Sequence, residues 1–469
     1  MASSSSDPKP NVGFVLSIVC AAAMGGFLFG FDTAVINGAV KALQNHFHLG
    51  ETMTGLAVSL ALLGSAAGAL AAGPLADRYG RIRIMLVSAI LFTISGLGSG
   101  LPFTIYDFIF WRLVGGIAVG AASVLAPAYI SEVAPAHLRG RLASLQQMAI
   151  VIGISVALIS NYWIASVAGS AEGHAWWGIE AWRWMFWMEI PPALIYGIST
   201  LFIPESPRYL VAVGRHAEAK TILARILGAL HKAEEKVAEI AATITTEQKP
   251  RFSDLRGPAG GLLAVVWIGI GLSAFQQFCG INVIFYYSSV LWQAAGFSEQ
   301  DSLKITMITG LINIATTILA ILFVDRFGRR PLLLIGSLGM TFTLGIMALV
   351  FGMASQNAAG LPQLVGGQGQ LALWAANGFV FFFGFSWGPV VWVLLGEMFP
   401  NRIRAAGLSL ATCVQWIANF AISTSFPPMQ EYLGLGLSYA IYAAFSFVSF
   451  FFVWILVRET KGKELEEMK

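Results

Sequence analysis

Twelve apolar stretches, each about long enough to cross a bilayer, dominate this chain, and its charges crowd into the segments between them. A spanning helix needs about 20 apolar residues. The candidates lie at 12–36, 54–75, 84–105, 109–134, 142–166, 184–203, 260–292, 303–324, 331–353, 371–398, 405–427 and 435–457. Charged residues make up 11% of the chain, whereas a soluble domain carries roughly 25%. In water so little charge would leave large apolar patches and drive aggregation; in lipid the same surface is buried. The sequence therefore predicts an all-α membrane protein. The polar start MASSSSDPKPN precedes a long apolar segment with no cleavage-like ending, which reads as a retained first span. The stretch at 260–295 is glutamine-rich and is expected to break at Gly280, and Pro389 is expected to kink the tenth span.

Charge sets the orientation. One set of loops holds Arg78, Arg81, Arg83, Arg139, Arg141, Arg326, Arg329, Arg330, Arg402 and Arg404, and the tail adds Arg458, Lys461, Lys463 and Lys469. The opposite loops hold Lys41, Arg183 and Lys304. Basic loops face the cytoplasm, so both termini are expected inside a plasma (inner) membrane. The net charge of +3 arises from these clusters and gives no reason to expect a nucleic-acid partner. Cys20, Cys279 and Cys413 fall inside apolar segments, and no disulfide framework or metal-ligand spacing is evident.

The chain also repeats itself. GPLADRYGR ends the second span and LFVDRFGRR the eighth. SEVAPAHLR and GEMFPNRIR each place Pro three residues after Glu and Arg seven after it. PESPR and RETKG close the two sets. Three motifs in one order, twice, point to duplication and to two six-helix halves around a central path. The expected division is 1–203, a cytoplasmic helical linker at 204–258, 259–457 and a tail at 458–469. Within the linker, helices are expected at about 215–229 and 232–243, with Ile222, Leu223, Ile226, Leu227 and Leu230 needing cover. At the arginine-rich edge, Asp77, Arg78, Glu132, Arg139, Asp325, Arg326, Glu397 and Arg404 form a candidate cytoplasmic gate that bridges the halves when shut. Asp77 and Asp325 are also candidate caps for a neighbouring helix N-terminus. The alternative is that these charges only orient the chain.

Polar residues inside apolar spans are expensive and therefore informative. Asp32 in the first span and Arg112 in the fourth are placed to meet, either as a protonation switch or as a fixed ion pair. The seventh span, GLSAFQQFCGINVIFYYSSV, offers Gln276, Gln277, Asn282, Tyr286 and Tyr287. Gln146 and Gln147, Asn313, Trp387 and Trp392, and Gln415, Trp416 and Asn419 add amides and indoles from other spans. Amides both donate and accept hydrogen bonds, and indole faces suit the C–H groups of a sugar ring. The set fits a neutral polyol. Interhelical hydrogen bonding is the alternative, and Gln146 and Trp387 fit ordinary packing.

On the two D-R-x-G-R motifs, PESPRYL, QQFCGINVIFYYSS and RETKG, the chain resembles the sugar porter family of the major facilitator superfamily over about 25–467. It most resembles the cyanobacterial glucose transporters and is similar to bacterial xylose– and galactose–proton symporters and to animal glucose facilitators. The resemblance implies the major facilitator fold with 12 transmembrane helices. It implies sugar contacts from Gln147, Gln276, Gln277, Asn282 and Asn313, with Trp392 beside the ring, polar contacts near Gln415 and Trp416, and closure by Phe27 and Tyr286. It makes Asp32 the proton-coupling acid and Arg112 its partner. Gly384 departs from the Glu of animal facilitators, and Arg458 replaces the first residue of PETKG. The expected function is alternating-access transport of D-glucose or another monosaccharide, as proton symport. A facilitated-diffusion uniporter and a non-transporting sugar sensor are the alternatives. No cofactor beyond the coupling proton, no metal and no enzymatic activity are expected: the chain lacks G-x-S-x-G, H-E-x-x-H and a P-loop. The expected partners are the sugar and membrane lipid, and the unit a functional monomer.

Overall fold

The computed structural model describes residues 11–135, 139–246, 252–257, 260–356, 362–400 and 403–461. The first spans are α1 (Val12–Phe47), α2 (Glu51–Tyr79), α3 (Arg81–Gly100), α4 (Ile105–Val133) and α5 (Arg139–Ala168), followed by α6 (Ala181–Trp187) and α7 (Ile190–Phe202), which together make a broken sixth. Short helices α8 (Pro207–Ala212), α9 (His216–Leu227) and α10 (Leu230–Thr246) lead to the second set. It comprises α11 (Ala264–Phe278), α12 (Ile281–Ala294), α13 (Glu299–Phe327), α14 (Arg329–Gly352), α15 (Gln368–Phe385), α16 (Trp387–Met398) and α17 (Arg404–Leu456). α17 turns at Gly434 (φ 75°, ψ 167°), so its 53 residues make two spans. With α11–α12 and α15–α16 each counted as one broken span, twelve helices cross among the described residues. Their outward faces carry large apolar side chains such as Leu322, Phe342 and Leu349 at 66–70% exposure, which only lipid can cover.

Glycine explains how closely the spans approach. A Cβ at Gly64 would lie 2.4 Å from Leu113 O, and one at Gly68 2.2 Å from Ile117 O. Across the same seam, Cβ atoms at Gly116 and Gly120 would lie 1.9 and 2.0 Å from the carbonyls of Ala61 and Ser65. Two G-x-x-x-G faces thus press α2 and α4 together, backbone on backbone. Lipid tails are as apolar as leucine, so such van der Waals contact, and not hydrophobic burial, drives this packing.

The interruptions are local. Gly280 takes φ 82° between α11 and α12, as expected. The tenth span breaks at Ser386 (φ −131°, ψ −85°), three residues ahead of the expected kink. Pro389 falls in the first turn of α16, where a missing N–H breaks no helical bond. In the linker Ile222, Leu223 and Ile226 are buried, while Leu230 is 61% exposed and needs no cover. α9 is tied back to the start of the chain by Asn11 N–H donating to Ile226 O at 3.1 Å and by Arg225 stacking 4.2 Å from the Phe14 ring.

The repeated motifs acquire a mechanical meaning at the arginine-rich end. Glu205 of PESPR accepts the N–H groups of Arg81 and Ile82 at 3.0 and 3.3 Å, capping α3. Glu459 of RETKG accepts those of Arg329 and Arg330, both at 3.0 Å, capping α14. Gly80 (φ 98°) and Gly328 (φ 91°) make the preceding turns, and a Cβ there would lie 2.4 or 2.7 Å from the capping carboxylate. Positive φ and a tight approach together select glycine. Glu205 and Glu459 are therefore the caps of α3 and α14. Asp77 pairs with Arg81 at 2.9 Å, and the Asp325 side chain lies outside the described residues.

Burial alone would raise the Glu459 carboxyl, but N–H donors from Lys461, Arg329, Arg330 and Thr460 outweigh it and hold the group below its ordinary value. A lowered carboxylate stabilises the fold above the unfolded value, about 4.3 for Glu, and that contribution fades as pH falls through the folded one. Glu459→Gln is expected to lower stability in detergent by about 1–2 kcal/mol at pH 7, with the gap to wild type closing below about pH 4. Thermal unfolding of both proteins across pH checks this; a gap independent of pH would contradict it.

Candidate functional site

A cavity of about 120 Å³ lies where α1, α5, α11, α12, α13, α15, α16 and α17 converge. Gln147, Gln276, Gln277, Asn282, Tyr286, Asn313, Trp392, Gln415 and Trp416 all line it. The break at Gly280 lets α11 and α12 present amides from two helix ends at one point, which an unbroken helix would not do.

Those amides form a directed chain. Gln276 Nε2 donates to the carbonyls of Trp387 and Gly388, at 2.9 and 3.2 Å, where α15 gives way to α16. Gln277 Nε2 donates to Gln276 Oε1 at 3.1 Å, and Asn282 Nδ2 donates to Gln277 Oε1. Each amide has two N–H donors and one two-lone-pair oxygen. Gln276 thus spends its donors on the backbone and keeps acceptor capacity. Gln277 keeps a donor and one lone pair, and Asn282 keeps a donor and its whole oxygen. Gln415 Oε1 and Trp416 Nε1 are buried without a hydrogen-bond partner. Buried polar atoms are rarely left so, and here they border the cavity. Gln146 is buried against Gly26 away from the cavity lining, with both amide atoms also unpartnered, whereas Trp387 Nε1 donates to Leu333 O and Ser337 Oγ, at 3.1 and 3.0 Å.

Phe27 stands off the cavity and packs on Phe31, with ring centroids 6.2 Å apart. Phe29 lines the cavity instead and stacks 5.4 Å from Trp416. Two residues along a helix is about 200° of rotation, enough to exchange the cavity face for the packed one. Sequence reasoning also passed over Thr33, Thr317 and the apolar walls Ile150, Ile154 and Phe383. Asn419, noted among the polar residues, lines the cavity too, and its Nδ2 donates to Tyr286 OH at 3.3 Å.

Asp32 and Arg112 meet. Arg112 Nη1 donates to Asp32 Oδ1 at 2.6 Å and Nη2 to Asp32 O at 3.1 Å, with exposures of 2% and 1%. Gly115, one turn along α4, leaves room for the acid: a Cβ there would lie 3.2 Å from Asp32 Oδ1. A third charge escaped sequence reasoning. Glu189, between α6 and α7, is fully buried, neither of its carboxylate oxygens has a hydrogen-bond partner, and Asp32 and Arg112 are its charged neighbours. The signal was an acid inside the apolar run FWMEIPPALI, as unusual as Asp32. Two carboxylates around one guanidinium become neutral on binding one proton, the cheapest state for a buried cluster.

At the arginine-rich end the acids pair with arginines of their own set of spans. Glu132 takes Arg81 at 3.0 Å, and Glu397 takes Arg329 through two bonds, at 2.8 and 3.1 Å. Arg78 stacks on Tyr79, 5.2 Å from its ring, and Arg404 Nε donates to Phe399 O at 3.3 Å. The Arg326 carbonyl accepts Lys461 Nζ at 2.8 Å. The Arg139 side chain lies outside the described residues. The reason is the glycine turn: the last Arg of D-R-x-G-R opens the next helix and points back at the acid. These pairs join residues of the same six spans. Among the described residues, bonds that cross between the two sets lie away from that end: Asn37 Nδ2 to Phe285 O (3.0 Å), Ser59 Oγ with Thr424 Oγ1 (2.5 Å) and Ser155 Oγ to Gly310 O (2.8 Å).

The family model described as sugar (and other) transporter matches residues 18–469. The chain is 62% identical to the glucose transport protein of Synechocystis sp., covering 99% of each. It is 39% identical to the D-xylose-proton symporter of Escherichia coli (strain K12), covering 98% of this chain and 96% of that one. Among solved structures, the inward-open conformation of the xylose transporter XylE from E. coli superposes with a TM-score of 0.82 at 38% identity, covering 97% of this chain and 99% of that one. XylE bound to 6-bromo-6-deoxy-D-glucose gives 0.78 at 37% identity, covering 98% and 99%. With the same twelve-helix architecture around an amide-lined cavity, this chain belongs to the sugar porter family of the major facilitator superfamily and is a multi-pass membrane transporter, not an enzyme.

Proposed function

We propose that the protein carries D-glucose by alternating access and couples each sugar to an inward proton. The observation that carries this reading is the juxtaposition on α1. Thr33 faces the uncharged, amide-lined cavity, and its neighbour Asp32 faces Arg112 and Glu189. One helix thus touches both a polyol-sized site and a titratable buried cluster, so a change in either is felt by the other. Glutamine, asparagine and tryptophan at the cavity match hydroxyls and ring C–H groups without favouring a charged substrate. The glucose transport protein relative supports glucose as cargo, and the proton symporter relatives support the coupling. Asp32 and Glu189 would hold or pass the proton, with Arg112 as their permanently charged partner.

In this reading the basic loops and both termini face the cytoplasm, and residues 1–203 and 259–457 rock about the cavity while 204–258 joins them. Glu132 with Arg81 and Glu397 with Arg329 would brace each half's cytoplasmic edge. The whole cavity is built from one chain, which supports a functional monomer. The alternative is a uniporter using the same site. Uptake of labelled glucose into proteoliposomes decides between them. An imposed inward proton gradient is expected to drive accumulation above the external concentration, and a protonophore to abolish it. Uptake that only equilibrates, gradient or not, would favour the uniporter.

A further inference from the structure

The turn between α5 and α6 reaches across to the other six spans at the end opposite the arginine-rich loops. Ala171 N–H donates to Glu299 Oε1 at 2.6 Å, and Gln300 Nε2 donates to Gly169 O at 3.5 Å. Glu299 and Gln300 are the first two residues of α13. The turn is wired on its own side: Trp182 N–H donates to Ala171 O at 3.0 Å and Ala181 N–H to Gly173 O at 2.8 Å. Asn45 at the end of α1 donates to Glu172. Ala171 is 3% exposed, so its N–H is shielded from competing water. A rigid element of the first set therefore offers one donor and one acceptor to a helix start of the second. Ser155 and Gly310 continue the same α5–α13 seam deeper in the bundle.

We propose that the 169–173 turn and the start of α13 form a clasp that holds this face shut and must release for the cavity to open there. The bonds of this turn are few and lie at the rim, which suits a contact that breaks in every cycle. The clasp rests on the alternating-access reading, and glucose uptake by the wild-type protein tests that reading separately.

The test is a cysteine pair, Ala171→Cys with Glu299→Cys, in a background with Cys20, Cys279 and Cys413 changed to Ser. Oxidation is expected to cross-link the pair and stop uptake in proteoliposomes, with a reductant restoring it. Failure of the pair to cross-link, or full transport by the cross-linked protein, would overturn the clasp. A second measurement stands if the pair is inactive before oxidation. In Glu299→Ala, a cysteine introduced as Thr33→Cys is expected to react with an impermeant thiol reagent applied from that face about fivefold faster, the effect of one lost hydrogen bond. An unchanged rate would equally overturn the proposal.

Discussion

Asp32→Asn is expected to abolish accumulation of sugar against a gradient while leaving exchange of labelled for unlabelled sugar intact. The amide keeps the size and hydrogen-bonding reach of the acid, so Arg112 retains a partner at Oδ1, but the cluster can no longer exchange a proton at that position. A membrane potential of 100 mV is worth about 2.3 kcal/mol per inward charge, enough for roughly 50-fold accumulation at one proton per sugar. The variant should fall to a ratio of about one. Arg112→Leu is expected to do more damage. It leaves two buried carboxylates without their cation, and breaking a buried pair costs about 3–5 kcal/mol. Accumulation ratios in proteoliposomes, with thermal unfolding of each variant in detergent, separate the two effects. An Asp32→Asn protein that still concentrates glucose would remove Asp32 from the coupling mechanism and leave its pair with Arg112 purely structural.

Sugar affinity is expected to fall about 10–100-fold in Asn282→Ala, which is about 1.4–2.8 kcal/mol. Asn282 is the free end of the amide chain, with one donor to spare and an oxygen that takes no bond within the chain. Gln277→Ala should cost a similar amount, because it removes a donor and also releases Asn282 from its fixed orientation. The two losses should not add, since the side chains act through one network. Calorimetric titration of glucose into the purified single and double variants measures this. Equal affinity in wild type and both single variants would take the seventh span out of the site.

Gln276, Gln277 and Asn282, together with Trp392, Gln415 and Trp416, were legible because an amide or indole in an apolar span is conspicuous wherever the helix faces; Tyr287, read from the same span, instead donates to Ser423 O away from the cavity. Phe27 and Phe29 were not separable, since both are apolar and only rotation about the helix axis distinguishes them. Glu189 shows the complementary failure. It was conspicuous, but it lies near the loop with the tryptophans, and only the break between α6 and α7 shows that it turns inward. Which arginines pair with Glu132 and Glu397 was not legible, for a geometric reason. Several arginines of each motif lie within reach in sequence, and the turn at Gly80 or Gly328 selects Arg81 and Arg329.

By itself the sequence determined the number of spans, the duplicated plan and the kind of chemistry inside the membrane, because lipid forces every span to be apolar and makes each exception visible. Tertiary structure alone decided which faces meet. It joined Asp32 to Arg112 and Glu189, turned Phe29 toward the cavity, and gave the glutamates of PESPR and RETKG their helix ends. Those outcomes depend on helix rotation and on backbone contacts at glycine, which no one-dimensional pattern of polarity encodes.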